Sequence, residues 1–414
     1  MPIDLSELRS QRVADLVAAA RELGVDNAAG LKKQELVFEI VRRRAGAGGG
    51  ARGSGVLETL SDGFGFLRSL ETSFLPGPDD IYVSPSQIRR FNLRTGDLVQ
   101  GAVRAPKEGE RYFALIKIES INERLPEVER DKPIIDNLSP ERAHRSFAVA
   151  RGPADPHRVI DALASLALGQ RIAILGAAGS GRTALVRQIV LALRDNHPEV
   201  VVIPVLVDDR PEEIAELEAD LGAGLLSTHI EEPPARHVQV VEMALERARR
   251  IAEQNRDVVL LIDSLSRFAR AANATATGSG RLLHGVVDPL ALHRSRRILA
   301  AGRALAEGGS LTVIATCAVD SDSKVDEALL EELGGVTNAT LRLDSGLRAG
   351  GFAPALVVSQ SRSDRPLEPA AAVAAASLRA ALSLDDRADL ARLSAPLQAR
   401  PDGAGAADPL DKQP

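Results

Sequence analysis

A glycine-rich segment between an apolar strand and a helix constrains the fold of this chain more than any other feature. The strand is Arg171–Leu175, and the segment Gly176–Thr183 reads GAAGSGRT. This order is typical of a P-loop, in which backbone N–H groups and a helix N-terminus hold phosphates. The alternative is a glycine-rich turn without a ligand. Arg182 replaces the usual lysine and keeps only its charge, while Thr183 is expected to bind Mg²⁺.

Apolar strands alternate with helical stretches around this motif, from residue 151 to residue 365. We expect strands at Arg171–Leu175, Val200–Val207, Val258–Asp263 and Leu311–Thr316, and helices at 183–194, 211–221, 235–254 and 289–306. The alternation predicts an α/β domain with a parallel sheet and helices on both of its faces.

Acidic residues follow two of the expected strands. Asp263 ends a buried strand, where P-loop enzymes place a carboxylate that holds Mg²⁺, although it can also cap the next helix. Asp208 and Asp209 follow Val200–Val207. An acid at this place can orient an attacking water, and the alternative is a cap for the helix that starts at Pro211.

The first 150 residues have a different organisation. Residues 1–47 carry apolar positions at helical spacing and predict a small helical domain, and residues 48–53 form a glycine-rich linker. Residues 54–123 contain five short strand-like runs separated by turn residues, which suits an OB-type β-barrel. A polar connector occupies 124–150, and residues 366–414 form an Ala/Pro-rich tail.

Aromatic residues are concentrated in the β-rich region. Of the 11 aromatics, seven lie there: Phe64, Phe66, Phe74, Tyr82, Phe91, Tyr112 and Phe113. Strand alternation places Phe64 and Phe66 on one face of the sheet. Such rings can stack on nucleic-acid bases, and the alternative is that they fill the barrel core.

Composition limits the classes of function. The net charge of −6 argues against non-specific binding of polyanions. The single cysteine, Cys317, excludes an intramolecular disulfide and a thiolate metal cluster and indicates a reducing compartment. We expect neither a membrane-spanning segment nor a signal peptide, and the seven histidines have no metal-ligand spacing.

With these residues in view, the chain resembles the bacterial transcription termination factor Rho family over about residues 1–365. The resemblance rests on Asp62–Arg68, Gly77–Thr95, Pro106–Ala114, Arg210–Glu213, Arg236–Val240, Asp263–Arg270 and Gly308–Thr316. It implies a homohexameric ring whose barrel binds C-rich nascent single-stranded RNA. It also implies a RecA-like P-loop ATPase domain, an RNA-dependent hydrolase and RNA–DNA helicase that uses ATP and Mg²⁺. Such a ring releases the transcript from the RNA polymerase elongation complex in the bacterial cytoplasm.

The resemblance also implies site residues. The RNA-binding positions of the barrel are Asp62, Gly63, Phe64, Gly65, Phe66, Leu67, Arg68, Asp80, Ile81, Tyr82, Glu110, Arg111 and Tyr112. The pore-loop RNA contacts are Arg281, Leu282, Leu283, His284, Gly285, Val286 and Lys324. The ATP contacts are Ala167, Leu168, Gly169, Gln170, Arg171, Ile172, Gly179, Ser180, Gly181, Arg182, Thr183, Ala184 and Arg210. Arg182, Asp209 and Asp263 are the expected catalytic residues, with Thr183 and Asp263 as Mg²⁺ ligands.

The departures from the family pattern lie in the ATPase half. Arg182 and Gly179 replace lysines, Asp209 replaces a glutamate, and Asp364 stands at the position of an arginine finger. These changes keep two hypotheses open. The first is an RNA-dependent ATPase that terminates transcription. The second is a catalytically impaired paralogue that binds RNA or modulates active rings. A rotary-ATPase subunit, a third class, leaves the barrel unexplained.

Overall fold

The computed structural model describes residues 3–46, 51–107, 109–222, 224–276, 283 and 287–364. Within them, the residues up to Asn137 and Glu242–Glu253 form one unit. Leu138–Val241 and the residues from Gln254 onward form a second unit. The expected tail 366–414 and residues 48–50 of the expected linker lie outside the described residues.

The first unit combines short helices with a barrel. Its helices are α1 (Leu5–Ser10), α2 (Val13–Glu22), α3 (Lys33–Gly46), α4 (Pro85–Arg90) and α5 (Pro126–Glu129). Its strands are β1 (Ile3–Asp4), β2 (Ala51–Thr59), β3 (Gly65–Arg68), β4 (Ile81–Val83), β5 (Leu98–Arg104) and β6 (Phe113–Ile121). Strands β2 to β6 correspond to the five runs expected from the sequence.

The barrel closes on itself. Its strands follow the order β2-β3-β4-β6-β5, and β5 also pairs with β2 in antiparallel register. Only β4 and β6 are parallel neighbours within this closed set. The structure thus confirms the OB-type barrel that the spacing of the short strands predicts.

The N-terminal helices and the barrel share one core, contrary to the expectation of a helical domain on a flexible linker. Leu36 and Ile40 of α3 belong to the same buried cluster as Leu57 of β2. Strand β2 starts at Ala51, so residues 51–53 of the expected linker are strand. The chain is closely packed there, because a Cβ on Gly53 would meet the tip of the Ile81 side chain.

The second unit is an α/β domain. Its helices are α6 (Arg158–Leu163), α7 (Arg182–Asn196), α8 (Pro211–Leu221), α9 (Pro234–Ala252, whose last part belongs to the first unit), α10 (Leu265–Thr275), α11 (Pro289–Ala300), α12 (Lys324–Leu333) and α13 (Ser345–Ala349). Its strands are β7 (Pro140–Glu141), β8 (Arg171–Gly176), β9 (Val201–Asp209), β10 (Leu226–His229), β11 (Asp257–Asp263), β12 (Arg303–Leu305), β13 (Ser310–Ala318), β14 (Ala339–Leu343) and β15 (Arg362–Ser363).

The sheet of this unit brings the carboxyl ends of its central strands together. The order is β10-β9-β11-β13-β8-β14-β15, and the neighbours from β10 to β14 are parallel. This confirms the parallel sheet expected from the alternating pattern. Ligands of such sheets bind outside the carboxyl ends of the strands, which here carry the P-loop, Asp209 and Asp263.

Two segments differ from the expectation. The helix expected through 306 ends at Ala300, and Arg303–Leu305 forms a strand antiparallel to β13. A Cβ on Gly302 would lie 2.8 Å from the Arg171 Cγ atom, so the chain there is closely packed and extended. The expected connector 124–150 also contributes to the second unit, because β7 pairs with β12 and Val149 is buried in its core. No described helix is long and apolar enough to cross a bilayer.

Candidate nucleic-acid interface and nucleotide site

Four aromatic rings form one continuous surface on the barrel. Phe66 and Tyr82 are paired in register on β3 and β4, and their ring centroids lie 6.1 Å apart. The centroid of Phe64 lies 5.8 Å from that of Phe66 and 5.6 Å from that of Tyr82. Tyr112 lies 4.8 Å from Phe66. We call these four residues the ring surface.

Burial separates the ring surface from the barrel core. All four of its side chains are partly exposed, Tyr112 to 37%. Phe74 and Phe113, in contrast, are only 1% and 0% exposed. The core-filling alternative therefore holds for Phe113, which belongs to the barrel's core cluster, and fails for the ring surface, whose partly exposed rings suit stacking on bases.

Arg68 lies behind the ring surface and holds it in place. Its guanidinium carbon is 5.0 Å from the centroid of Phe66, yet the residue is only 5% exposed. The guanidinium donates to Glu58, at 2.6 Å, and to Asp80. Burial raises the pKa of Asp80 to about 6, although the Arg68 charge acts in the opposite direction. Arg68 thus supports Phe66 and is already neutralised by two carboxylates.

A cavity of about 800 Å³ adjoins Tyr82 and Tyr112. Its lining includes Arg111 and an ion pair in which Arg104 donates to both carboxylate oxygens of Glu110, at 2.6 and 2.8 Å. These hydrogen bonds lower the pKa of Glu110 to about 2, so its carboxylate is ionised at neutral pH. Arg111 forms no ion pair with any described residue, which leaves its charge available to a phosphate.

Sequence reasoning missed part of this cavity. Ser84, Gln87 and Arg104 line it as well. Ser84 caps α4, and the Gln87 amide donates to the carbonyl oxygen of Leu115. The capping pattern in Ser84–Gln87 was the available signal, because it fixes where this short helix starts.

Other residues expected to contact RNA lie away from the surface. Leu67 and Ile81 are fully buried in the barrel core. Gly65 is buried as well, whereas Asp62 and Gly63 are exposed beside Phe64. Strand alternation explains the difference, since Phe66 and Leu67 project to opposite faces of β3.

The P-loop of the second unit has the expected geometry. It connects β8 to α7, whose N-cap is Gly181 with φ 87°. The backbone N–H groups at this helix end favour an anion. Arg182, however, turns back, and its Nη1 donates to the carbonyl oxygen of Gly176 at 2.9 Å. Burial lowers the pKa of Arg182, while the Asp263 charge raises it.

Asp263 lies at the carboxyl end of β11 with one oxygen unused. Its Oδ1 accepts a hydrogen bond from the Thr316 hydroxyl at 2.6 Å. Its Oδ2 is buried and has no hydrogen-bond partner among the described residues. Ser264, and not Asp263, caps α10 through a bond to the Arg267 backbone. An unpartnered buried carboxylate oxygen suits a cation, so the capping alternative fails and a Mg²⁺ ligand fits.

Asp209 is held by charged neighbours. Its carboxylate lies 3.0 Å from the Nη1 atom of Arg267 and accepts from the Arg210 backbone. A hydrogen bond with Asp209 raises the pKa of Glu213, which lies one turn into α8. The N-cap of α8 is Arg210 without a side-chain bond, so neither Asp208 nor Asp209 has the capping role.

Some of the expected ATP contacts are not brought to the P-loop. Ala167–Ile172 lie at the amino end of β8, opposite the end that carries the loop.

The expected pore-loop RNA contacts are described only in part. Lys324 starts α12 and pairs with Glu327 at 2.8 Å, and Leu283 is 44% exposed. Asp364 is exposed at the end of the described chain. Arg281, Leu282, His284, Gly285 and Val286 lie outside the described residues.

The domains match known families. Residues 7–49 match the Rho termination factor N-terminal domain, and residues 53–127 match the Rho termination factor RNA-binding domain. Residues 157–363 match the nucleotide-binding domain of the ATP synthase alpha/beta family. An ATPase from the type III secretion system of pathogenic bacteria shares the fold, with a TM-score of 0.53 and 23% identity over 61% of this chain and 72% of that chain.

Relatives of similar length extend the match over most of the chain. Transcription termination factor Rho of Haemophilus influenzae is 45% identical over 362 residues, or 86% of each chain. Its counterpart in Escherichia coli is 43% identical over 363 residues, or 87% of each chain. The chain therefore belongs to the Rho family of transcription termination factors and carries that family's RNA-binding domain together with an ATPase-type nucleotide-binding domain.

Proposed function

We propose that this protein terminates transcription by binding C-rich nascent RNA and hydrolysing ATP in an RNA-dependent manner. The observation that carries the proposal is the ring surface of the barrel, which occurs on the same chain as a P-loop with an unpartnered Asp263 oxygen. As a homohexameric RNA–DNA helicase in the bacterial cytoplasm, it would release transcripts from RNA polymerase. Family membership supports these steps.

RNA binding would use stacking first and charge second. Bases stack on the free faces of the ring surface, each contributing on the order of 1–3 kcal/mol. The ionised Glu110 carboxylate beside Tyr112 can accept a hydrogen bond from the amino group of cytosine. Arg111 lines the same cavity and suits the phosphate backbone. The pore contacts Arg281–Val286 and Lys324 would hold the strand that is moved.

Nucleotide binding would use the backbone of Gly179–Thr183 and the N-terminus of α7. Thr183 and Asp263 would hold Mg²⁺, which neutralises developing charge on the phosphates. Asp209 would orient the attacking water, and Arg267 fixes the direction of its carboxylate. Arg182 would have to exchange its bond to Gly176 for one to a phosphate.

The impaired-paralogue hypothesis is the weaker of the two. The replacements at Gly179, Asp209 and Asp364 favour it, and so does the hydrogen bond that Arg182 already donates to the carbonyl oxygen of Gly176. Against it, 43–45% identity with termination factors extends over 86–87% of the chain.

ATP hydrolysis by the full chain, measured with and without poly(C), tests the proposal. We expect turnover that rises when poly(C) is added and that requires Mg²⁺. A matched reaction with poly(A) separates base preference from simple polyanion binding. Tight poly(C) binding without turnover would contradict the ATPase role and leave an RNA-binding protein.

A further inference from the structure

The P-loop lies between two cavities of opposite character. The first, of about 450 Å³, is lined by the loop and by three acidic residues of α8, Glu213, Glu216 and Asp220. The second, of about 340 Å³, is lined on one side by Ser180, Gly181 and Ala184 and on the other by β14, α13 and the residues after them. None of the residues that line the second cavity, all of them within the described chain, is acidic.

The cations of the second cavity differ in whether they are neutralised. Arg151 pairs with Asp195 at 2.6 Å, and Arg187 pairs with Asp220 at 2.7 Å. Arg348 also lines this cavity, is exposed, and forms no ion pair with any residue that the structure describes. Its charge is therefore the one in this lining that is free to meet an anion.

Arg348 lies directly against the P-loop. A Cβ on Gly181 would be 3.5 Å from the Cδ and Nε atoms of Arg348 and 3.9 Å from its Cζ. Gly181 is the N-cap of α7, so the guanidinium lies beside the helix end that attracts anions. The Ser180 hydroxyl lines the same cavity and is buried without a hydrogen-bond partner among the described residues.

The backbone around Arg348 holds the side chain in this position. The Asp344 side chain caps α13 by accepting from the Leu347 backbone at 2.7 Å. Leu347 packs with Ala355 and Phe352 in a small apolar cluster. The helix is thus anchored on both sides, and the guanidinium it carries faces the P-loop on a fixed support.

We propose that Arg348 binds a phosphate group of the nucleotide that occupies the P-loop. Resting on the proposed ATP site, the inference adds a cation from α13, outside the P-loop itself. The P-loop cation Arg182 is bonded to Gly176, whereas Arg348 is unpaired and faces the side of the loop without carboxylates. A guanidinium suits this role because it can donate two parallel hydrogen bonds to one phosphate.

Calorimetric titration of the full chain with ADP and with adenosine tests the inference. Arg348→Ala is expected to weaken ADP binding about tenfold or more and to leave adenosine binding unchanged, since only ADP carries phosphates. Arg348→Lys should restore part of the loss. Arg151→Ala is the matched control, because it removes an arginine of the same cavity that is already paired with Asp195.

The possible results separate the inference from the function on which it rests. Unchanged ADP affinity in Arg348→Ala, or an equal loss in Arg151→Ala, would overturn the role of Arg348 alone. An equal loss of ADP and adenosine would also overturn it, because the effect would then be one of cavity shape. A wild-type chain that binds no ADP would overturn the ATP site and the inference together.

Discussion

The barrel and the P-loop expose their functional groups in different ways. On the barrel, the rings of Phe64, Phe66, Tyr82 and Tyr112 pack on one another and keep part of each face open to solvent. Around the P-loop, three charged groups are already bonded within the protein, namely Arg182 to the Gly176 carbonyl, Arg267 to Asp209, and Asp263 to Thr316, whereas Arg348 forms no ion pair with a described residue.

The difference follows from the chemistry of the groups. An aromatic face can stay partly exposed to water at a small cost in free energy, whereas a partly buried charge without a partner carries a large cost. The ring surface, which we propose binds RNA, is therefore exposed before RNA binds. The proposed nucleotide site would have to exchange internal bonds for bonds to its ligand, and the Asp263 Oδ2 and the Ser180 hydroxyl, which have no hydrogen-bond partner among the described residues, are where we expect those bonds.

Asp263→Asn should produce the largest effect and would test the nucleotide side of this comparison. The amide keeps the shape of the side chain but loses the charge that we expect to hold Mg²⁺. We expect RNA-stimulated ATP turnover to fall on the order of 10²-fold or more, because a metal ion contributes several kcal/mol to charge stabilisation. Steady-state hydrolysis at increasing Mg²⁺ measures the loss.

Asp257→Asn is the matched control for that experiment. Asp257 begins the same strand that Asp263 ends, and it pairs with Arg145 at 2.6 Å. Circular dichroism should show both variants folded, and turnover of Asp257→Asn should stay near wild type. Equal losses in the two variants would assign the effect to the strand and not to the metal site.

Phe64→Ala tests the barrel side of the comparison. We expect oligo(C) binding to weaken by about 1–3 kcal/mol, since one stacking face is lost. Basal ATP turnover without RNA should not change. Fluorescence anisotropy of a labelled oligo(C) measures the affinity, and Phe64→Tyr, which keeps the ring, serves as the control. Unchanged affinity in Phe64→Ala would disprove the ring surface as an RNA site.

Arg182→Lys tests whether the hydrogen bond from Arg182 to the Gly176 carbonyl limits ATP turnover. A lysine carries its charge on one compact ammonium group, which fits a tight phosphate site better than the bulkier, forked guanidinium of Arg182. We expect ATP turnover to rise about tenfold, which corresponds to about 1.4 kcal/mol in the barrier. Arg187→Lys, on the same helix but paired with Asp220, is the control. A turnover that stays the same would move the defect to Asp209 or to the arginine-finger position, Asp364.

The smallest expected effect is the contribution of Asp80 to the pH dependence of the free energy of unfolding. Its folded pKa of about 6 lies above the ordinary 3.8, so protonation favours the folded state. Its contribution to the free energy of unfolding should therefore rise by roughly 1 kcal/mol as the pH falls from 7 to 5.5. Hydrogen exchange of the β3 and β4 amides, compared between wild type and Asp80→Asn at each pH, measures it. Parallel pH profiles in the two proteins would refute the assignment.

The sequence predicted the strands and helices of the fold better than it predicted how these elements pack together. Period-two runs and turn residues located all five barrel strands, and the alternation of strands and helices predicted the parallel sheet. Apolar patterns do not report which faces meet, so the core that Leu36 and Leu57 share was not foreseen. Glycines that suggest a flexible linker can also mark close packing, as Gly53 does against Ile81.

The candidate sites show the same limit. Motif spacing located the P-loop and Asp263, and the aromatic cluster located the ring surface. The sequence could not show that Arg68 is neutralised by Glu58 and Asp80, since these partners lie on three separate strands or turns. Arg348 had no local signal either, because its relation to Gly181 exists only after β14 pairs beside β8.

The placement of the tyrosines has a practical consequence for spectroscopy. The chain has no tryptophan, and both of its tyrosines, Tyr82 and Tyr112, belong to the ring surface. Tyrosine emission from the whole protein therefore originates at the place where bases are expected to stack. Quenching of that emission by RNA would follow occupancy of the barrel without any label.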